Sequence, residues 1–154
     1  MNHKRSSFGL VVFESKLYAF GGISGVREGF YPIISDSIEM FNFNTNTWTD
    51  ITLKSSLSLA AFSTFQLSGP EVLIFGGTDG SIMQCELRKL DLRSLTVEII
   101  PGSEQEFNTG NSKILCKDGE VYAFGGFGSK GGSYSFNLSE RKWKKQTGKF
   151  QLEQ

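Results

Sequence analysis

The sequence has 154 residues with 16 basic and 16 acidic side chains, so its formal net charge is zero. A neutral chain has no general attraction for nucleic acid, polyanions or a membrane surface, and we expect none of these as a partner. The length and a hydrophobic content of 38% predict one ordinary globular domain. The 18 glycines and 14 phenylalanines favour an all-β fold, because glycine suits turns while aromatic rings fill pleated faces.

The N-terminal region begins like a secretory signal and then departs from one. Its apolar run from Phe8 to Phe13 is ended by Glu14, whereas a signal peptide has an apolar region of about 7–15 residues. No stretch approaches the roughly 20 apolar residues of a membrane-spanning helix. The chain has two cysteines, Cys85 and Cys116, which is fewer than a secreted scaffold of this size usually carries. We therefore expect a cytoplasmic chain with two free thiols.

Three similar hexapeptides divide the chain. They are LYAFGG at residues 17–22, VLIFGG at 72–77 and VYAFGG at 121–126. Successive copies lie about 50 residues apart, a period that indicates a repeat architecture in which each repeat is one supersecondary unit.

Each unit has the same order of predicted elements. A short apolar strand comes first, a turn follows, and a second strand ends in the glycine pair. After a variable loop come two more strands joined by a tight turn, as in MFNFNTNTW at 40–48 and YSFNLSERKW at 134–143. Phe41 and Phe136 precede Trp48 and Trp143 by seven residues, while KLDLRSLTV keeps the same frame without the aromatic rings. The pattern predicts four strands per unit.

These features resemble the kelch repeat. The residues that carry the resemblance are Gly21, Gly22, Trp48, Gly76, Gly77, Gly125, Gly126 and Trp143, with Tyr18, Phe41, Tyr122 and Phe136 beside them. The resemblance implies an all-β, kelch-type β-propeller with three four-stranded blades, at about 5–52, 57–101 and 108–147. The kelch region would span residues 4–150, with tails at 1–3 and 151–154. These landmark residues are expected to form the scaffold rather than an active site.

Three blades are too few to close a propeller, which needs about 4–8. An incomplete propeller would leave apolar blade faces at both ends of an arc, and monomers rarely expose such faces. Three completions are open. They are missing blades that belong to a longer chain, a homodimer of two copies with six blades, and a partner protein that meets an open arc.

The sequence offers little for catalysis. His3 is the single histidine, so a Ser-His-Asp or Cys-His site lacks a base. Neither the cysteines nor the histidine have the spacing of a metal site, and the glycine pairs lack the other residues of a phosphate-binding loop. We expect no metal, no cofactor and no enzymatic activity. The alternatives by resemblance are a fragment of a propeller enzyme acting on sugars, or the kelch substrate receptor of a ubiquitin ligase.

Loops on one face of the scaffold are the expected binding surface, because propeller strands form a rigid frame. The relevant loops are Gly22–Asp36, Thr78–Cys85 and Phe127–Ser133. The candidate residues for contact with a partner protein are Arg27, Glu28, Phe30, Tyr31, Asp79 and Lys130. Arginine beside aromatic residues is typical of an interface hot spot. The alternative is that the longest loop folds its apolar residues onto its own blade.

One basic segment, ERKWKK at 140–145, admits two interpretations. Its lysines could attract an anionic partner, with Trp143 stacking on a base. Trp143 occupies the repeat's own tryptophan position, however, so we expect its ring inside the blade. The lysines would then line an outer edge strand, where charge opposes edge-to-edge pairing.

Overall fold

The computed structural model describes residues 1–104, 110–127 and 132–146. Within these ranges all regular structure is β, and no helix has the length and apolarity needed to cross a bilayer. The fourteen strands are β1 (Gly9–Phe13), β2 (Lys16–Phe20), β3 (Ile23–Val26), β4 (Pro32–Ile34), β5 (Ile38–Asn42), β6 (Thr47–Ile51), β7 (Ser63–Gln66), β8 (Glu71–Phe75), β9 (Leu87–Asp91), β10 (Thr96–Ile99), β11 (Lys113–Lys117), β12 (Glu120–Phe124), β13 (Ser133–Asn137) and β14 (Lys142–Gln146).

Three four-stranded antiparallel sheets form the blades, as the repeat predicted. Blade 1 has the order β1-β2-β5-β6, blade 2 has β7-β8-β9-β10 and blade 3 has β11-β12-β13-β14. Between β2 and β5 of blade 1, strands β3 and β4 form an additional two-stranded sheet. The sequence predicted only a loop there. Its strands pair Ile23 with Ile34 and Val26 with Pro32, with a register shift between Ile23 and Gly25, and Ile33 and Ile34 are half-buried.

The outer hairpin of every blade turns on a side-chain acceptor at the same repeat position. The Oδ1 atoms of Asn42, Asp91 and Asn137 each accept hydrogen bonds from the backbone N–H groups two and three residues later. Asx turns of this kind replace a backbone turn. At Asp91 the N–H groups of Ser94 and Arg93 also hold the pKa of the carboxyl below its usual value.

Packing between neighbouring sheets forms two cores. Blades 1 and 2 enclose Tyr18, Phe20, Phe62, Ile74 and Leu90, and the rings of Phe20 and Phe62 stack with centroids 5.8 Å apart. The inner strand β7 contacts both β1 and β11, so the first strand of each blade lies nearest the centre of the arc.

Blades 2 and 3 pack through the second core, where the landmark Trp143 has a structural role. Its ring centroid lies 5.2 Å from those of Phe75 and Phe136. The indole Nε1 donates to the carbonyl oxygen of Ser103, in the connection between the blades, at 2.9 Å. Lys142, Lys144 and Lys145 are exposed on the outer strand β14 around this half-buried ring.

The N-terminal segment is fixed to blade 1 by a buried ion pair. Arg5 Nη2 lies 2.7 Å from Glu39 Oε2, and both side chains are fully buried. The guanidinium also donates to the carbonyl oxygens of Gly21 and Ser37. The other oxygen of Glu39 accepts the backbone N–H groups of Asn2 and His3. Except for the bond to Gly21, these bonds join residues more than thirty positions apart in the chain.

Candidate functional site

The three glycine pairs place their loops on one side of the molecule. Each pair follows the second strand of its blade. A backbone hydrogen bond then ties the start of each loop to the segment that enters the same blade: the N–H groups of Ile23, Thr78 and Phe127 donate to Ser6 O, Ala60 O and Gly110 O, each at 2.8 Å. Gly22 N–H also donates at 2.7 Å to Leu59 O, in the connection that enters blade 2. The described parts of the loops that follow the pairs therefore share one face, which we call the loop face.

The tip of the β3–β4 hairpin presents two aromatic rings to solvent. Arg27 N–H donates to Tyr31 O at 2.8 Å, and Phe30 N–H donates to Arg27 O at 3.2 Å. Phe30 has a left-handed backbone with φ of 63°, which is uncommon for a bulky residue. Phe30 is 94% exposed and Tyr31 is 67% exposed. The tip is thus held by its backbone, and these two rings do not fold onto their own blade.

The turn after the second glycine pair is organised by Asp79. Its Oδ1 accepts the N–H groups of Ser81 at 2.8 Å and Ile82 at 2.9 Å. Its Oδ2 accepts the side-chain amide of Gln84 at 2.9 Å. The hydrogen bonds from Ile82 and Ser81 hold the pKa of Asp79 below its usual value, so the residue is a carboxylate at neutral pH.

A cleft of about 400 Å³ lies between the hairpin and this turn. Close approach of Gly80 to Ile34 brings the two loops together, because a Cβ at Gly80 would lie only 3.1 Å from Ile34 Cγ1. The residues that line the cleft are Arg27, Glu28, Tyr31, Pro32, Ile33, Ile34, Ser58, Asp79, Gly80 and Ser81. We call this feature the loop cleft.

The structure brings together four of the six residues predicted from sequence to contact a partner. Arg27, Glu28, Tyr31 and Asp79 line the loop cleft, and Phe30 stands on the hairpin tip beside it. Lys130 lies outside the described residues. The partner-contact role of all six stays a prediction. Ser58 was not predicted, because it reaches the cleft from the connection between blades 1 and 2.

The loop cleft has the chemistry of a recognition surface. Arg27 and the Tyr31 hydroxyl supply hydrogen-bond donors, and Glu28 and the free lone pairs of Asp79 supply acceptors. Apolar contact comes from Ile33, Ile34 and the exposed rings. Within residues 1–104, 110–127 and 132–146, no group of three or more His, Cys, Asp or Glu side chains is arranged to hold a metal ion.

Comparisons with known proteins agree with this architecture. A family model described as the kelch motif matches residues 4–52, which is blade 1 with its N-terminal segment. The solved structure of YjhT superposes on 96% of this chain and 53% of its own with a TM-score of 0.76 and 16% sequence identity.

A curated relative is named as an enzyme. N-(sulfonatooxy)prop-2-enimidothioate sulfolyase of Thlaspi arvense is 26% identical over 155 residues, which covers 90% of this chain and 43% of that protein. The present chain therefore spans about half the length of the proteins that it matches. It carries a kelch motif in its first blade and has the fold of an incomplete kelch-type β-propeller with three blades.

Proposed function

We propose that this chain is a non-catalytic protein-interaction module that binds a partner through its loop face. The observation that supports this function is the exposure of Phe30 and Tyr31 on a hydrogen-bonded hairpin at the edge of the loop cleft. Aromatic residues and arginine are enriched among the residues that dominate binding energies.

The rigidity of the tip favours binding over a merely exposed loop. Two backbone hydrogen bonds and the left-handed conformations of Gly29 and Phe30 hold the backbone from which the rings project. A loop whose backbone is ordered before binding loses less conformational entropy when the complex forms. Loops on a packed sheet scaffold commonly carry function for this reason.

Charges around the cleft indicate the kind of partner segment. Arg27 would pair with a carboxylate or a carbonyl oxygen, while Glu28 and Asp79 would accept bonds from a basic or amide side chain. An apolar residue of the partner would pack against Phe30 and Tyr31. The expected ligand is a mixed polar and apolar protein surface rather than a uniformly charged polymer.

The test is a comparison of bound partners. Proteins captured from lysate by the wild-type chain are compared with those captured by Phe30→Ala/Tyr31→Ala. For each protein that only the wild type captures, calorimetry then measures the dissociation constant with both chains. We expect the dissociation constant to rise at least about tenfold, because truncating a hot-spot side chain costs about 2 kcal/mol or more.

Phe43→Ala is the matched control. Phe43 is 53% exposed and lies in the turn between β5 and β6, at the end of blade 1 opposite the loop face. Its removal should leave the affinity unchanged. Equal binding by wild type and the double variant would contradict the use of the hairpin tip.

An enzymatic function is the second candidate because a relative is named a sulfolyase. Its named substrate carries an anionic sulfonatooxy group, and Arg27 is a cation on the wall of the loop cleft. Incubation with N-(sulfonatooxy)prop-2-enimidothioate, followed by sulfate measurement, tests this candidate. We expect no sulfate release above the rate without protein. Release that Arg27→Ala abolishes would replace the non-catalytic proposal.

A further inference from the structure

The outward face of blade 1 carries a row of apolar side chains that no other described blade covers. Strand pairing aligns Val12 with Leu17, Leu17 with Phe41 and Phe41 with Trp48, one residue from each strand. Val12 is 50% exposed, and the Phe41 and Trp48 rings lie 5.1 Å apart. We call this the blade 1 end row.

The outward face of blade 3 carries a corresponding row. Pairing aligns Leu115, Tyr122, Ser135 and Lys144 across the four strands. Leu115 is 41% exposed, and the ring of Tyr122 stacks on that of Phe124. We call this the blade 3 end row. It faces away from blade 2.

The two junctions within the chain show how such rows meet. Blade 1 offers Val11, Tyr18 and Met40 to blade 2, and these residues occupy the repeat positions of the blade 3 end row. Blade 3 offers Val121, Phe136 and Trp143 to blade 2, and these occupy the positions of the blade 1 end row. The two uncovered rows are therefore the two halves of one blade-to-blade junction.

Length and curvature fit a second copy as the occupant. The chain superposes over 96% of its residues on YjhT while covering 53% of that chain. The arc therefore keeps the blade arrangement of a propeller about twice its length. Two such arcs related by a two-fold axis would each place blade 3 against the other's blade 1, a head-to-tail contact that closes on itself.

Charge favours this orientation over contact between like faces. The outward face of blade 3 has exposed Lys113, Lys117, Lys142 and Lys144. On the outward face of blade 1, the exposed charged residue of the strands is Asp50, which lies 3.2 Å from His3 Nε2, and Glu39 is paired with the buried Arg5. Two lysine-rich faces would repel each other, whereas the outward strand positions of blade 1 carry no lysine and expose the Asp50 carboxylate.

We propose that two copies of this chain associate head to tail, with the blade 3 end row of each packed on the blade 1 end row of the other, to form a six-bladed ring. The Trp48 indole supports the conclusion that the blade 1 end row lacks a neighbouring blade. Its counterpart Trp143 donates to a carbonyl oxygen in the preceding connection, whereas Trp48 Nε1 has no acceptor among the described residues. The pairing does not depend on the loop cleft.

The test is the mass in solution by size exclusion with light scattering. The wild-type chain should show twice the monomer mass of 17.1 kDa. Val12→Glu and Leu115→Glu should each give the monomer, because every contact in the ring uses one row of each kind. An equimolar mixture of the two variants should regain the doubled mass, because one of its two contacts joins two unaltered rows.

Controls separate this arrangement from other outcomes. Val26→Glu alters an exposed residue of the β3–β4 hairpin and should remain paired. Circular dichroism checks that each variant is folded. If a row variant fails to fold, Lys144→Glu takes its place as the test, because this position is exposed, and it should weaken pairing. Added salt should also weaken pairing.

Three results would overturn the proposal. A wild-type mass of 17.1 kDa at every accessible concentration would show that the chain alone does not pair. Loss of pairing in only one of the two row variants would indicate contact between like faces. Failure of the mixture to regain pairs would exclude the head-to-tail contact.

Discussion

Replacement of Glu39 with glutamine is expected to lower the free energy of unfolding by about 3–5 kcal/mol, because it leaves the Arg5 guanidinium buried without its counterion. The pair has 0% side-chain exposure at both partners and a separation of 2.7 Å. Arg5 also anchors the N-terminal segment through Gly21 and Ser37. Urea denaturation of both chains measures the difference.

The same pair predicts a pH dependence. Burial by itself raises the pKa of Glu39, but hydrogen bonds from Arg5, Asn2 and His3 outweigh burial and hold the pKa below its usual value. Between the folded and the unfolded pKa, the unfolded chain binds the additional proton. This contribution to stability is present above the unfolded pKa of about 4.3. It is lost as the pH falls through the folded value, and Glu39→Gln should have a shallower acid slope.

Glu71→Gln is the matched control. Glu71 lies 3.0 Å from Lys89 but is 37% exposed. Solvent-exposed ion pairs contribute about 0–1 kcal/mol, so this variant should differ little from wild type. Similar losses for Glu39→Gln and Glu71→Gln would contradict a special role for the buried pair.

Alanine at Gly21 should destabilise the chain far more than alanine at Gly125, although both occupy the first glycine of the repeated phrase. Both residues have φ of 64°, so both substitutions carry the same backbone strain of about 1–2 kcal/mol. A Cβ at Gly21 would lie 2.5 Å from Leu59 O, in the connection to the next blade. At Gly125 a Cβ meets no described atom within 4 Å. Overpacking adds about 1–3 kcal/mol at Gly21 alone.

Thermal and urea denaturation measure both variants. Both glycine substitutions are best made in the Val12→Glu chain, in which a second copy should not pack near Gly125. Gly119→Ala provides a further reference, because Gly119 has φ of 79° with no described atom near its Cβ position. Equal losses at Gly21 and Gly125 would show that backbone strain, rather than the neighbouring blade, determines the cost.

The repeated phrases predicted the three blades because they encode local requirements. Aromatic and branched residues form the second strand, and the turn residues end each element. The β3–β4 hairpin was not predicted, since its pairing joins Ile23–Val26 to Pro32–Ile34 across a turn without a strong hairpin sequence. Arg5 and Glu39 were also missed. In sequence Glu39 occupies a strand position that alternation assigns to the outward face, and its partner lies far away in the chain.

The candidate site was predicted in part. Arginine and aromatic residues marked the tip of the longest loop, and four of the six predicted residues line the loop cleft. Composition cannot show that Asp79 bonds to its own turn, nor that Ser58 joins the cleft from another connection. Those relations arise only when two blades pack.

The sequence by itself determined the repeat, the strand order within each blade and the positions of the loops that follow the glycine pairs, because each depends on local periodicity and turn chemistry. The tertiary structure decided which faces of the blades meet. It buried Arg5 with Glu39, joined the hairpin to the Asp79 turn, and left the rows through Trp48 and Tyr122 without a described blade against them. These outcomes depend on contacts between residues that are distant in the chain, and local sequence patterns do not predict such contacts.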